Sequence, residues 1–140
     1  MFLQPDWGKQ IAAIVDQYSD YDLVGCVTNR LASINQLHEK QFSDNPDILH
    51  HKAIADQLYE KYCNLVKPFT GVVAGMFLLF PRKTWEKHLF KENDIRFDVH
   101  FSRGIMAAGG KIGLAQGLYV FHMYRLGQPN PKRAYQHLTK

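Results

Sequence analysis

Gly71-Val72-Val73-Ala74-Gly75-Met76-Phe77-Leu78-Leu79-Phe80, closed by Pro81, is a continuous apolar run. Such a run, without alternation, suits a strand buried on both faces of a sheet rather than an edge strand. Moving outward, Arg82 to His88 predicts a short charged helix, and Phe90-Lys91-Glu92 leads into a loop. Phe97-Asp98-Val99-His100-Phe101-Ser102-Arg103 then opens a helix that ends at Gly109-Gly110, and Lys111 to Leu114 and Leu118 to His122 predict two short strands.

Upstream, Pro5-Asp6 followed by Ile11, Ile14, Val15 and Tyr18 predicts an amphipathic helix, and Leu23-Val24-Gly25-Cys26-Val27 a buried strand. The stretch from Thr28 to Asp44 has too little periodicity to assign, and a loop of that length in a compact domain is usually functional or mobile. Asn45-Pro46 reads as a cap and first-turn pair, with Ile54, Leu58, Tyr62 and Leu65 on one face of a helix that Pro68 stops. His50 and His51 lie near its start, where adjacent residues diverge by about 100° and share a metal poorly, so both are expected at the surface. Past His122 the chain turns polar, and residues 123–140 are expected to form a loosely packed basic tail.

Alternating helices and strands predict one α/β or α+β domain over residues 1–140, a small mixed sheet flanked by helices. About four strands is few for a free-standing nucleotide-binding sheet. Half a sheet would expose an edge and apolar area, which favours self-association.

The 140 residues carry a net charge of +4, but the basic residues are scattered except toward the tail, at Arg125, Lys132, Arg133 and Lys140. Without a helix-turn-helix, zinc motif or aromatic-basic stripe, nothing points to nucleic acid. No apolar run has the length of a membrane span and the start lacks signal-peptide features, so a cytoplasmic chain with at most peripheral membrane contact is expected. Cys26 and Cys63 have neither metal nor redox spacing, and each is expected to be a small buried residue.

The order glycine, apolar run, Arg82, short helix, Phe90-x-Glu92, Asp98-x-x-Phe101-Ser102, helix, Gly109-Gly110-Lys111-Ile112, strand, Tyr119-x-x-His122 resembles the second half of a family 2 glycosyltransferase of the GT-A fold. Asp6-Trp7 and the strand at Leu23 to Val27 resemble the segment after that family's metal-binding Asp-x-Asp, which is absent here. The resemblance implies a partial GT-A-like three-layer sandwich from the acceptor-side, C-terminal portion of a bacterial enzyme of polysaccharide biosynthesis. Such an enzyme moves a sugar from a nucleotide-sugar donor to a carbohydrate acceptor hydroxyl, with inversion. With the Asp-x-Asp half missing, these residues are expected to be inactive or nearly so by themselves. The alternative is a non-catalytic accessory or oligomerising domain derived from such an enzyme.

The same resemblance implies the site residues. His122 matches a histidine that holds a divalent metal, Mn²⁺ in preference to Mg²⁺ because imidazole is a poor Mg²⁺ ligand; otherwise its ring caps the strand end. Asp98 matches the catalytic base, although Phe97 replaces the glutamate of the usual Glu-Asp pair, and Asp98 also suits the N-cap of its helix. Arg125 is a candidate for the donor diphosphate. Gly75, Arg82, Trp85 and His100 are candidates for the acceptor, against plainer roles: tight packing for Gly75, core filling for Trp85 and a solvent-facing helix position for His100.

Overall fold

The computed structural model describes residues 1–31, 34–123 and 126–127. Four helices, α1 (Trp7–Gln17), α2 (Ile48–Tyr62), α3 (Arg82–Lys87) and α4 (Phe97–Ala107), surround strands β1 (Leu23–Thr28), β2 (Val66–Pro68) and β3 (Ile112–Val120). The sheet order is β1-β3-β2, with β1 parallel and β2 antiparallel to the central β3. The expected mixed sheet between helices is therefore present, with three strands among the described residues.

Strand alternation places the helices. Val24 and Cys26 of β1 face Ile14 of α1 together with Ala115, Leu118 and Val120. Val27 faces the opposite way, joining Ala55 and Leu58 of α2 with Leu114, Tyr119 and Phe121. Leu23 packs on that second face too, with Phe101 and Ile105 of α4 and Ile112. The sheet is thus a middle layer, with α1 on one side and α2 and α4 on the other.

The two expected late strands are one strand with a bulge. The β1–β3 register steps from Cys26↔Ala115 to Val27↔Tyr119, so Gln116, Gly117 and Leu118 are extra on β3. Gln116 instead donates its amide to the Leu65 carbonyl at 2.9 Å. Gly117 presses on the end of α2, where a Cβ would stand 2.1 Å from the Cys63 carbonyl oxygen.

The apolar run at 71–80 is not a strand. Only Leu79 pairs with β1, exchanging both backbone bonds with Val24 at 2.7 and 3.0 Å. Farther back, three consecutive amides go to side chains: Val73 to Ser102 Oγ (3.1 Å), Ala74 to Gln36 Oε1 (2.8 Å) and Gly75 to Asp98 Oδ2 (3.0 Å). Amides satisfied in this way need no ladder. Because Ser102 is buried, Ser102→Ala would strand the Val73 amide. A cost of about 1–3 kcal/mol is expected, read as a lower urea midpoint at unchanged slope.

The sheet edges are blunted. Val24–Leu79 and Thr28–Leu37 bridges cover the outer side of β1, and β2 is three residues long and ends in Pro68. The edges expected of a half sheet are thus present but short on the β2 side and bridged at two points on the β1 side.

Local signals explain the other departures. Asp47, rather than Asn45-Pro46, caps α2, its carboxylate accepting from the Leu49 amide, and the helix stops at Tyr62 before the expected Leu65. Cys63 is exposed, not buried, because it terminates α2 at a positive φ of 46°. In α1 the inward residues are Gln10 and Ile14 while Val15 faces solvent, since Gln10 spans between Gln4 and the Cys63 carbonyl. His50 is at the surface as expected, whereas His51 is fully buried. The tail expected at residues 123–140 lies mostly outside the described residues.

Candidate functional site

Two groups of polar side chains gather the residues singled out in the sequence. The first surrounds the start of α4. Arg96, not Asp98, occupies the N-cap position and makes no side-chain cap bond. The turn is organised by Asp94, whose Oδ1 accepts from the Arg96 amide at 2.9 Å. Asp98 lies in the first helical turn, where the helix dipole favours its negative charge. Its Oδ2 accepts from Gly75 and its Oδ1 from the Val99 amide at 2.8 Å. The structure thus brings Asp98 and Gly75 together. A carboxylate has about four lone-pair sites, so two backbone bonds leave room for a substrate hydroxyl.

Phe97, at the position of the family's glutamate, has an apolar task. A Cβ on Gly75 would stand 2.5 Å from its ring, so the absence of a side chain at residue 75 lets Phe97 lie over the backbone. Phe97 meets Phe90 edge-on at 5.2 Å, and Phe90 meets Phe101 at 4.9 Å. Beside these rings is an open groove of about 340 Å³, lined by His88 to Lys91, Asp94, Phe97, His100, Phe101 and Arg103.

His100, expected either at the acceptor or facing solvent, is at the surface of α4. It lines the groove, its side chain is half-exposed, and Nδ1 lies 2.6 Å from Asp94 Oδ2. A carboxylate only accepts, so Nδ1 carries the hydrogen and the neutral ring keeps its lone pair on Nε2. The imidazole in turn holds the Asp94 carboxyl below its ordinary range. Sequence reading missed Asp94; the available signal was an aspartate two residues before Arg96, the spacing of an Asx turn.

The other acceptor candidates lie apart from this groove. Arg82 is exposed and pairs with Glu86 along α3 at 2.8 Å, and Trp85 is 42% exposed, neither in the core nor among the groove residues.

The second group sits at the carboxyl ends of β1 and β3. The His122 amide donates to Asn29 Oδ1 at 2.7 Å, and its Nδ1 lies 3.1 Å from the Arg30 carbonyl oxygen. The ring therefore does cap the strand end, with Nδ1 as donor and the lone pair of the neutral ring on Nε2. Beside it the buried Arg30 pairs with Asp44 and lies over the Phe42 ring at 4.9 Å. Crevices outside the carboxyl ends of parallel strands are where ligands bind in open α/β sheets. Arg125 lies outside the described residues.

A divalent metal does not fit this donor set. No group of three or more His, Cys, Asp or Glu side chains is placed to hold one among the described residues, and Asp44, near His122, is committed to Arg30. Octahedral coordination needs more oxygen ligands than that. No described helix is long and apolar enough to cross a membrane. No protein-family model, curated protein or solved structure matches the chain.

Proposed function

We propose that this chain is the acceptor-side part of an inverting sugar transferase, incomplete without a donor-binding half. The observation that supports it best is the carboxylate of Asp98, anchored at the start of α4 on Gly75, over which lies the ring of Phe97, a residue that lines the groove. In the reaction the acceptor hydroxyl gives its proton to Asp98 and its oxygen bonds to the anomeric carbon. The bond to the nucleoside diphosphate breaks with its electron pair, and configuration inverts. Two backbone amides hold the Asp98 carboxylate in place, so its contribution as a base rests on positioning.

A bacterial polysaccharide setting follows the same resemblance. The oxygen-rich metal ligands of such an enzyme, Mn²⁺ being the expected ion, would have to come from outside the described residues.

Two titrations of the full chain test this reading. Calorimetry with uridine diphosphate is expected to show no binding with or without Mn²⁺. Glucose followed by ¹H–¹⁵N NMR is expected to shift the amides of Gly75, Phe90 and Asp98. If glucose moves none of these, the acceptor site is lost from the reading. Mn²⁺-dependent nucleotide binding that His122→Ala abolishes would instead locate a donor site in this chain and overturn its incompleteness.

A non-catalytic accessory domain is the second reading. It is favoured by exposed apolar side chains such as Leu49, Leu89 and Ile95. A stable dimer or larger assembly in sedimentation, without any response to sugar, would select it.

A further inference from the structure

We infer that the groove beside α4 takes an acidic sugar, a hydroxylated ring bearing a carboxylate. Three features of its lining each match one part of such a ligand. Phe90 is 40% exposed in the lining, and its ring is fixed by T-shaped contacts with Phe80, Phe97 and Phe101, which gives the C–H surface of a sugar ring an aromatic partner. His100, fixed by Asp94 with its hydrogen on Nδ1, offers Nε2 to a hydroxyl as an acceptor. Lys91 and Arg103 supply positive charge, and neither forms a direct ion pair among the described residues.

The charge balance favours an anion. Asp94 is the sole carboxylate in the lining, and its Oδ2 is already used by His100 and its Oδ1 by the Arg96 amide. A guanidinium matches a carboxylate with two parallel hydrogen bonds, which a neutral hydroxymethyl group cannot accept. The volume of about 340 Å³ falls at the low end of the range for small-molecule sites, roughly 300–1,000 Å³, and suits one ring rather than a long chain. This deepens the acceptor reading and rests on it only for the ligand's being an acceptor, not for its binding.

The test is an NMR titration of the full chain with glucuronate, glucose and inorganic phosphate in separate runs. Glucuronate is expected to shift Phe90, Lys91, His100 and Arg103 together and to bind roughly tenfold more tightly than glucose, the margin of one charge-assisted pair. Arg103→Gln is expected to erase that margin, bringing glucuronate to the affinity of glucose. Arg103 is exposed, so the variant folds; unchanged amide spectra elsewhere check this.

Equal affinities for glucuronate and glucose would overturn the inference and leave the acceptor reading standing. Phosphate binding as tight as glucuronate would overturn the sugar part, marking a simple anion site. No shift with glucuronate would overturn it entirely. Conversely, glucuronate binding with Mn²⁺-dependent nucleotide binding through His122 would uphold the inference while the incompleteness proposed above fails.

Discussion

Gly117→Ala is expected to cost about 3 kcal/mol or more, the upper end for overpacking a rigid site, and to lower the thermal midpoint by several degrees. The new methyl would meet the carbonyl oxygen of Cys63 at 2.1 Å and its amide nitrogen at 2.9 Å, both backbone atoms. A flexible side chain could swing aside, but this carbonyl is held by the Gln10 amide at 2.9 Å, and the Cys63 amide is bonded to Tyr59 at 2.7 Å. The bulge could retreat only by giving up the Gln116–Leu65 bond that joins β3 to the chain entering β2. Gly8→Ala is the control. That glycine lies in α1 with nothing within 4 Å of the added carbon, so the change should stabilise by about 0.5–1 kcal/mol. Urea denaturation of the two variants should therefore move in opposite directions.

Tyr119→Phe is expected to destabilise by about 1–3 kcal/mol, because it leaves a buried ring nitrogen without its donor. His51 is fully buried, stacks on Phe121 at 4.0 Å, and has Nδ1 2.7 Å from the Tyr119 hydroxyl and Nε2 2.8 Å from the Asn45 carbonyl oxygen. The carbonyl fixes the hydrogen on Nε2, so Nδ1 accepts from Tyr119 and the ring is satisfied as a neutral base. Burial accordingly lowers the His51 pKa. Protonation is thus favoured in the unfolded chain, where the value is about 6.5. The stability contributed by neutral His51 is complete above that pH and is lost as pH falls through the lower folded value, because the unfolded state binds more protons in that window. His51→Gln should flatten this part of the stability–pH curve even if it lowers the curve as a whole. An unchanged slope between pH 7 and 5 would remove His51 from the account.

How far the sequence could be read depended on whether the deciding bonds were local. The strand at Leu23, the short charged helix at Arg82 and the helix through Phe101 and Ile105 follow from composition and 3.6-residue spacing, and the structure contains all three. The run at 71–80 misleads because an apolar segment reads alike whether its amides join a ladder or reach side chains far away in sequence, as those of Val73 to Gly75 do. Val66-Lys67-Pro68 is too short and polar to announce itself, and it becomes a strand only because β3 lies alongside. His51 was legible in principle, since His51, Ala55 and Leu58 are the inward residues of α2 at helical spacing. At the site, the Asp98–Gly75 contact joins two candidates picked out separately, but Asp94 and the aromatic groove become visible only in three dimensions.

The three amides bound by Ser102, Gln36 and Asp98 have a consequence for how the chain breathes. A β-ladder opens cooperatively, whereas here each hydrogen bond ends on a different side chain, two from α4 and one from the turn at Ile34–Gln36. Amide hydrogens at residues 73–75 should therefore exchange with solvent deuterium at three separate rates, while the paired amides of Val24 and Leu79 exchange together. A ligand that engages Asp98 would slow exchange at Gly75 first, making that one amide a reporter of events at the start of α4.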